Sequence, residues 1–130
     1  MTQEEKELLL KDITARLFYG LKVQIDFGEH CIKYGIDRYV DDTVICVWPE
    51  TFEIGVNDED QACDIEDVKP YLRPMSSMTE EEYREFGYDV LRYTPKEFDW
   101  LNAHHFDYRG LIEKGLALEA PEGMYNTKTE

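Results

Sequence analysis

The sequence predicts an α+β domain with an N-terminal helix, a small antiparallel sheet or SH3-like barrel of four to five short strands, and two to three C-terminal helices. Three observations support this class. Apolar residues follow a helical period near the N-terminus, alternate with polar residues from Leu21 onward, and return to a helical period after Pro74. With 130 residues, 42% of them hydrophobic, the chain has the size and apolar content of one domain. We therefore treat residues 1–130 as a single domain.

The first helix is indicated by its start and stop signals. Thr2 and Glu5 have the spacing of a capping box, and Gly20 is a natural end point. Between them the apolar residues Leu9, Ile13 and Leu17 recur at helical intervals. We expect a helix near residues 3–18.

A meander of short strands is expected next. Strand patterns begin at Leu21, Ile32, Thr43 and Phe52, and a fifth short strand fits Ala62–Ile65. The turns between them are short, and a parallel crossover needs a dozen or more residues, so antiparallel pairing is expected. The segment 68–74 contains two prolines and is interpreted as one helical turn that closes a barrel. The helix and the meander together occupy residues 1–74.

The remaining chain is expected to be helical over residues 75–120. Capping-box spacings at Thr79 with Glu82 and at Thr94 with Glu97 predict helices near 80–92 and 95–105. A short third helix is expected between residues 111 and 118. Residues 121–130 are interpreted as a frayed tail.

The charge balance restricts the partners. Asp and Glu number 29 against 14 Lys and Arg, which gives a formal charge of −15 and argues against direct nucleic-acid binding. No segment has the length of a membrane span, and the N-terminus does not have the pattern of a signal peptide, so we expect no membrane contact and a cytoplasmic location. Three cysteines with wide spacing fit neither a disulfide framework nor a zinc site, and are interpreted as buried thiols.

The densest polar cluster is the candidate binding patch, which lies within eight residues. Its members are Asn102, His104, His105, Asp107, Tyr108 and Arg109. Adjacent histidines on a helix point about 100° apart, so His104 and His105 cannot share a metal ion there. Helical packing explains both, with His105 hydrogen-bonded at a helix C-terminus where the dipole favours a cation. A polar binding patch with Asp107, Tyr108 and Arg109 remains the alternative.

Other signals for chemistry are weaker. The acidic stretch from Asp58 to Asp67 does not fit an EF-hand loop, because its sixth residue is Cys63 and not Gly. A solvated loop or a protein-contact surface fits it better. No nucleophile motif or glycine-rich phosphate loop is present, so no catalytic residues, no metal site and no cofactor are predicted. Seven tyrosines exceed the expected needs of the core and are candidates for an interface: Tyr19, Tyr34, Tyr39, Tyr88, Tyr93, Tyr108 and Tyr125.

Two stretches carry a resemblance to known sequences. KPYLRPMSSMTEEE, from Lys69 to Glu82, and WLNAHHFDYRGLIEKGLALEAPEGMYN, from Trp100 to Asn126, are similar to stretches in a family of small uncharacterised proteins of bacteria and their prophages. The segment between them is shorter here than in that family. The resemblance implies a mobile-element or gut-bacterial context, and it implies no activity or catalytic residues.

Three functions remain open at this point. The first is a non-enzymatic accessory protein, prophage-derived in its context, that acts through an unknown protein partner or through self-association. The second is an acidic nucleic-acid mimic that inhibits a nucleic-acid-binding protein. The third is a small hydrolase or ligand-binding protein that uses the segment from His104 to Arg109. The sequence favours a protein that is not an enzyme.

Overall fold

The predicted α+β class is confirmed by a computed structural model, which describes residues 1–87 and 94–125. The helices are α1 (Gln3–Ala15), α2 (His30–Lys33), α3 (Glu80–Phe86) and α4 (Pro95–Ala103). The strands are β1 (Lys22–Asp26), β2 (Tyr39–Trp48), β3 (Glu53–Val56), β4 (Cys63–Asp64), β5 (Val68–Leu72) and β6 (Leu118–Glu119). Single turns of 3₁₀ helix occupy Leu17–Tyr19, Ile65–Asp67 and Met75–Ser77.

The strands form one open sheet in the order β4-β3-β2-β1-β5-β6. All neighbouring pairs are antiparallel except β5 and β6, which are parallel. Of the two predicted forms, the small sheet is therefore observed. It has six strands instead of four or five, because β5 and β6 were not predicted as strands and outnumber the one predicted strand that is not formed.

Helix α1 covers one side of the sheet. The predicted capping box is present, with the Glu5 amide donating to the Thr2 hydroxyl at 3.1 Å and the Thr2 amide donating to the Glu5 carboxylate at 2.8 Å. Leu9 and Ile13 are fully buried in the main core with the inward residues of the sheet, which include Val23 of β1. Each such aliphatic side chain contributes about 1.5–3 kcal/mol when it is removed from water.

The strand predicted from Ile32, Tyr34 and Ile36 is wrong. This segment contains α2 and a turn, and the amides of Tyr34 and Ile36 both donate to the carbonyl of Cys31, at 3.1 and 3.0 Å. Gly35 has φ +68°, which reverses the chain after the helix. Local hydrogen bonds thus replace the expected ladder. Only Cys31 of this segment is buried, and the three alternating residues are exposed.

The helical turn predicted at 68–74 is also wrong, because Val68–Leu72 form β5 beside β1. Pro70 is accommodated within this strand opposite Val23. Its missing N–H is tolerated because pairing with β6 begins one residue later, at Tyr71. The short strand predicted around Cys63 is confirmed as β4.

The C-terminal helices follow their predicted starts. The capping boxes of α3 and α4 are both present. Helix α3 ends at Phe86, and the predicted continuation over 88–92 lies outside the described residues. The helix predicted at 111–118 is wrong: turns lead from Leu111 into β6, which pairs with Tyr71 and Leu72. Part of the predicted frayed tail is held in place, as described below for Tyr125, and residues 126–130 lie outside the described part.

Candidate functional site

The segment that carries the candidate binding patch runs beside the end of β5. The Arg73 amide donates to the His105 carbonyl at 2.7 Å, and the Asp107 amide donates to the Arg73 carbonyl at 2.8 Å. These two bonds fix the backbone of residues 105–107, and the Phe106 ring is completely buried in a small core with Met78 and Leu101. The Arg73 guanidinium lies over that ring, with 4.2 Å between its Cζ and the ring centroid. The position of the patch is therefore set by backbone pairing and aromatic packing.

A buried carboxylate on α1 organises half of the patch. Asp12 has no exposed surface and accepts two hydrogen bonds from Arg16, at 3.0 and 3.1 Å, and one from Arg109 at 3.0 Å. Nη1 of Arg109 also donates to the Tyr108 hydroxyl at 2.7 Å, and this hydroxyl donates to the Asn102 side chain at 2.8 Å. Asn102, Tyr108 and Arg109 are thus brought together. A buried ionic network of this kind holds its groups in fixed positions.

The two histidines point to different places. His104 stacks on Trp100 with 4.0 Å between the ring centroids, as the four-residue spacing predicts. His105 stacks on Tyr125 at 3.8 Å and is 4% exposed, with a positive φ of 60° that turns it out of the helix. Burial, assisted by the nearby charge of Arg16, lowers the pKa of His105 to about 4. His105 is therefore neutral at pH 7. The expectation that it would be a cation favoured by the dipole at this helix end is wrong.

Asp107 has a capping role. Its carboxylate accepts hydrogen bonds from the amides of Leu111, at 2.8 Å, and Ile112, at 3.0 Å. It is 8% exposed, so the carboxylate is directed into the protein. The two amides belong to the turns that lead into β6. This contact explains why an acid stands at this position.

The six patch residues therefore divide among four separate contacts. The structure brings Asn102, Tyr108 and Arg109 into the network around Asp12, and places His104, His105 and Asp107 in separate packing and capping contacts. Sequence reasoning missed Asp12 and Arg16. A signal was available: an Asp and an Arg four residues apart near the apolar face of α1 could have indicated a buried pair, although nothing local identifies Arg109 as their partner.

A second feature, which we term the acidic cleft, is a hollow of about 500 Å³ between the end of β1 and the loop before β4. Its acidic lining residues are Asp26, Asp58, Glu59, Asp60, Asp64 and Asp67. Among the described residues that line it there is no Lys or Arg. Burial and then the charges of Asp64, Asp26 and Glu66 raise the pKa of Asp67. The carboxylates of the cleft thus repel one another.

The chemistry available to Cys63 in the cleft is limited. Burial and the neighbouring carboxylates, Glu59 first among them, raise the pKa of its thiol. A protonated thiol is a poor nucleophile and a poor metal ligand. Within residues 1–87 and 94–125, no group of three or more His, Cys, Asp or Glu side chains is arranged to hold a metal ion.

A third feature, which we term the apolar ridge, is formed by the segment between β1 and β2 together with the first residue of β2. Four large apolar side chains are exposed within eight residues: Ile32 at 67%, Tyr34 at 68%, Ile36 at 60% and Tyr39 at 51%. Single exposed apolar residues are common on monomeric proteins, whereas several large ones exposed within a short stretch of chain are a candidate interaction surface. Sequence reasoning missed Ile32 and Ile36 because their alternation was interpreted as a strand.

Only some of the tyrosines predicted at the surface are exposed. Tyr34 and Tyr39 are on the apolar ridge, and Tyr19 is 40% exposed. Tyr108 and Tyr125 make internal contacts instead. Tyr88 and Tyr93 lie outside the described residues.

None of the helices in the described part of the chain combines the length and the apolar character that crossing a membrane requires. Comparison of the chain with protein-family models, with curated proteins and with solved structures found no match.

Proposed function

We propose that this protein is a non-enzymatic binding protein that acts by contact with a different protein, and that the apolar ridge is its contact surface. The observation that carries the proposal is the exposure of four large apolar side chains within the eight residues from Ile32 to Tyr39. Removing such side chains from water is a driving force for association, with about 25 cal/mol gained for each Å² of apolar surface buried.

The fold supports this use of the segment. Cys31 is buried beneath the ridge, and its thiol donates to the Phe27 carbonyl at 3.7 Å. On the other side, Arg38 holds the chain to β1 through two hydrogen bonds to Asp26, at 2.8 and 3.1 Å. Both ends of the exposed segment are therefore anchored, so the ridge presents its side chains without a large ordering cost.

The net charge favours a different protein over a second copy as the partner. Each copy of the chain carries a formal charge of −15, so two copies repel one another at low ionic strength. A partner with a lower negative charge or a positive charge meets no such barrier. The prophage context implied by the sequence resemblance fits an accessory protein of this kind.

The hydrolase alternative has less support. The side chains of Asn102, Tyr108 and Arg109 are engaged in the network around Asp12, and Asp107 is engaged in capping. General acid-base catalysis needs a group within hydrogen-bonding reach of a substrate proton and with a suitable pKa. His105 does not fit this requirement, because burial lowers its pKa to about 4 and its ring stacks on Tyr125.

Quantitative co-purification tests the proposal. The tagged protein, a ridge variant (Ile32→Ser, Tyr34→Ser and Ile36→Ser) and a control variant (Phe18→Ser) are compared in extracts of the cells that natively produce the protein. Phe18 is 92% exposed and lies outside the ridge, so it matches the loss of an exposed apolar side chain. We expect a specific protein with the unchanged chain and with Phe18→Ser, and its loss with the ridge variant. Recovery of the same proteins with all three chains, or of none, contradicts the proposal.

A further inference from the structure

We propose that the apolar ridge and the acidic cleft form one continuous surface, and that its ligand is a basic segment of the partner protein that also carries apolar side chains. This inference rests on the protein-binding function proposed above. It adds the chemistry of the partner.

The ridge and the cleft meet at the end of β1 and the start of β2. Asp26 lines the acidic cleft, and its Cα partner across the two strands is Tyr39 of the ridge. Phe27, the next residue, lines the cleft and leads into the segment that carries the ridge. A second hollow of about 290 Å³ is lined by Asp26, Tyr39 and Asp67, together with Gln24, Glu66, Lys69 and Leu118. A bound segment can therefore reach the cleft and the ridge together at Tyr39.

Charge complementarity defines the ligand. Six carboxylates line the cleft with no Lys or Arg among its described lining residues. The raised pKa of Asp67, which burial and its acidic neighbours cause, is consistent with electrostatic repulsion that a bound cation would relieve. Arg38 lies between ridge and cleft, but its charge is matched by Asp26, at 2.8 Å, and by Glu29, at 3.8 Å. Arg38 in turn balances the charge of Asp26, and Lys69 lines the second hollow, so five cleft carboxylates stand against one further cation. The local field is therefore still negative, and it attracts Lys and Arg side chains.

The apolar side chains of the ridge define the second requirement. A purely cationic ligand would leave Ile32, Tyr34 and Ile36 exposed to water, whereas a ligand with alternating cationic and apolar residues can cover them. A second copy that docks through the same surface brings the same carboxylates, and its formal charge of −15 opposes approach through any other surface. The observations thus favour a basic, partly apolar segment of another protein.

Synthetic peptides provide the probe. A fluorescent peptide of alternating Lys and Leu is titrated with the protein at low salt, and peptides of alternating Lys and Ser and of alternating Glu and Leu serve as references. We expect the Lys-Leu peptide to bind, the Lys-Ser peptide to bind about tenfold more weakly because it cannot cover the ridge, and the Glu-Leu peptide not to bind. High salt should weaken binding of the Lys-Leu peptide.

Matched variants locate the site. A cleft variant (Asp58→Asn, Glu59→Gln and Asp60→Asn) and a control variant (Glu4→Gln, Glu7→Gln and Glu113→Gln) each lose three carboxylates that are exposed at the surface. We expect the cleft variant to bind the Lys-Leu peptide about tenfold more weakly and the control variant to differ by less than about twofold. The ridge variant should bind the Lys-Leu peptide no better than the unchanged protein binds the Lys-Ser peptide, and Phe18→Ser should bind it normally.

Each remaining outcome overturns the inference. These outcomes are equal binding by the cleft and control variants, equal binding of the Lys-Leu and Lys-Ser peptides, binding of the Glu-Leu peptide, no binding of the Lys-Leu peptide, and self-association through the ridge in sedimentation experiments. If the inference fails while the ridge variant still loses a co-purified protein, the proposed function stands and the partner has a different chemistry. If the ridge variant loses no co-purified protein and the peptide experiments also fail, both proposals are contradicted.

Discussion

Asp12 and Arg109 are separated by 97 positions in the chain, yet Oδ1 of Asp12 accepts a hydrogen bond of 3.0 Å from Nη1 of Arg109. The same carboxylate is paired with Arg16, and neither of those two side chains has exposed surface. This contact joins the first helix to the segment from Asn102 to Arg109, which the sequence had indicated as a candidate binding patch. It gives that patch a structural role.

The first prediction concerns this carboxylate. Asp12→Asn leaves two guanidinium groups without their anion, and we expect the free energy of unfolding to fall by about 3–5 kcal/mol because a buried charge loses its partner. Urea denaturation followed by circular dichroism measures the change. Glu4→Gln on the exposed side of the same helix is the control and should change stability by no more than about 0.5 kcal/mol. Equal effects of the two substitutions would show that the network contributes little.

The second prediction concerns Tyr125. Its hydroxyl donates to the Tyr71 carbonyl at 2.8 Å and accepts from the Lys22 amide at 2.9 Å. Tyr125→Phe removes both bonds from a partly buried site, so we expect a loss of about 1–3 kcal/mol in the free energy of unfolding. Tyr34→Phe removes a hydroxyl from an exposed ring and should have almost no effect. An unchanged denaturation midpoint for Tyr125→Phe would argue against an anchored C-terminal segment.

The third prediction concerns the pH dependence caused by His105. Its pKa is about 4 in the folded protein, below the ordinary value of 6.5, so the unfolded chain binds a proton that the folded protein does not bind between these values. Stability therefore decreases as the pH falls from about 6.5 to about 4, by about 3 kcal/mol in total. His105→Asn, which tolerates the positive φ, should remove most of this slope.

The measurement is the free energy of unfolding at a series of pH values for the unchanged protein and for His105→Asn. The exposed His30 provides a control, because His30→Asn should retain the slope of the unchanged protein. If His105→Asn retains the full slope as well, the dependence has another source.

The fourth prediction concerns the pair of Arg73 and Glu82, which share two hydrogen bonds of 2.7 Å. Burial would raise the pKa of Glu82, but hydrogen bonds from Arg73 and Thr79 outweigh it and lower the pKa below the ordinary 4.5. The stability from this pair is present above pH 4.5 and is lost as the pH falls through the lowered value. Glu82→Gln should abolish that part of the acid destabilisation.

Acid titration of the free energy of unfolding tests this point. Glu80→Gln serves as the control, since Glu80 is exposed on the same helix and pairs with Arg84 at the surface. We expect Glu80→Gln to show the same acid destabilisation as the unchanged protein. A Glu82→Gln curve parallel to the unchanged one would contradict the assignment.

The parts of the fold that the sequence predicted correctly depend on local signals. Thr2 with Glu5 and Thr79 with Glu82 form capping boxes because both partners lie within one helical turn, so spacing alone identifies them. The alternation from Lys22 to Asp26 likewise reports a strand with one buried face.

The parts that were wrong depend on hydrogen bonds that residue periodicity does not reveal, one set local and one set between distant strands. Ile32, Tyr34 and Ile36 alternate as a strand does, but hydrogen bonds to the Cys31 carbonyl hold the segment in a helix and turn. The strands in the described part of the chain pair with other segments. Pro70 indicated a turn because its sequence neighbours do not reveal that β6 pairs only with the following residues. Strand pairing of this kind is decided by the tertiary structure.

The candidate site was predictable only in part for the same reason. The acidic stretch from Asp58 to Asp67 was recognised. That it lines one cleft with Asp26 could not be predicted, because the sheet brings β1 close to the loop before β4. The binding patch was recognised as a dense polar segment, but its contacts with Asp12 and Arg16 come from the other end of the chain.

The most direct measurement of the central claim is the affinity of the co-purified partner for the unchanged protein and for the ridge variant. Titration calorimetry with the isolated partner gives both dissociation constants. We expect the triple replacement of Ile32, Tyr34 and Ile36 by Ser to weaken binding by at least about a hundredfold, because it removes three large apolar contacts, while Phe18→Ser leaves the affinity unchanged. Equal affinity of the ridge variant and the unchanged protein would contradict the claim that the apolar ridge is the contact surface.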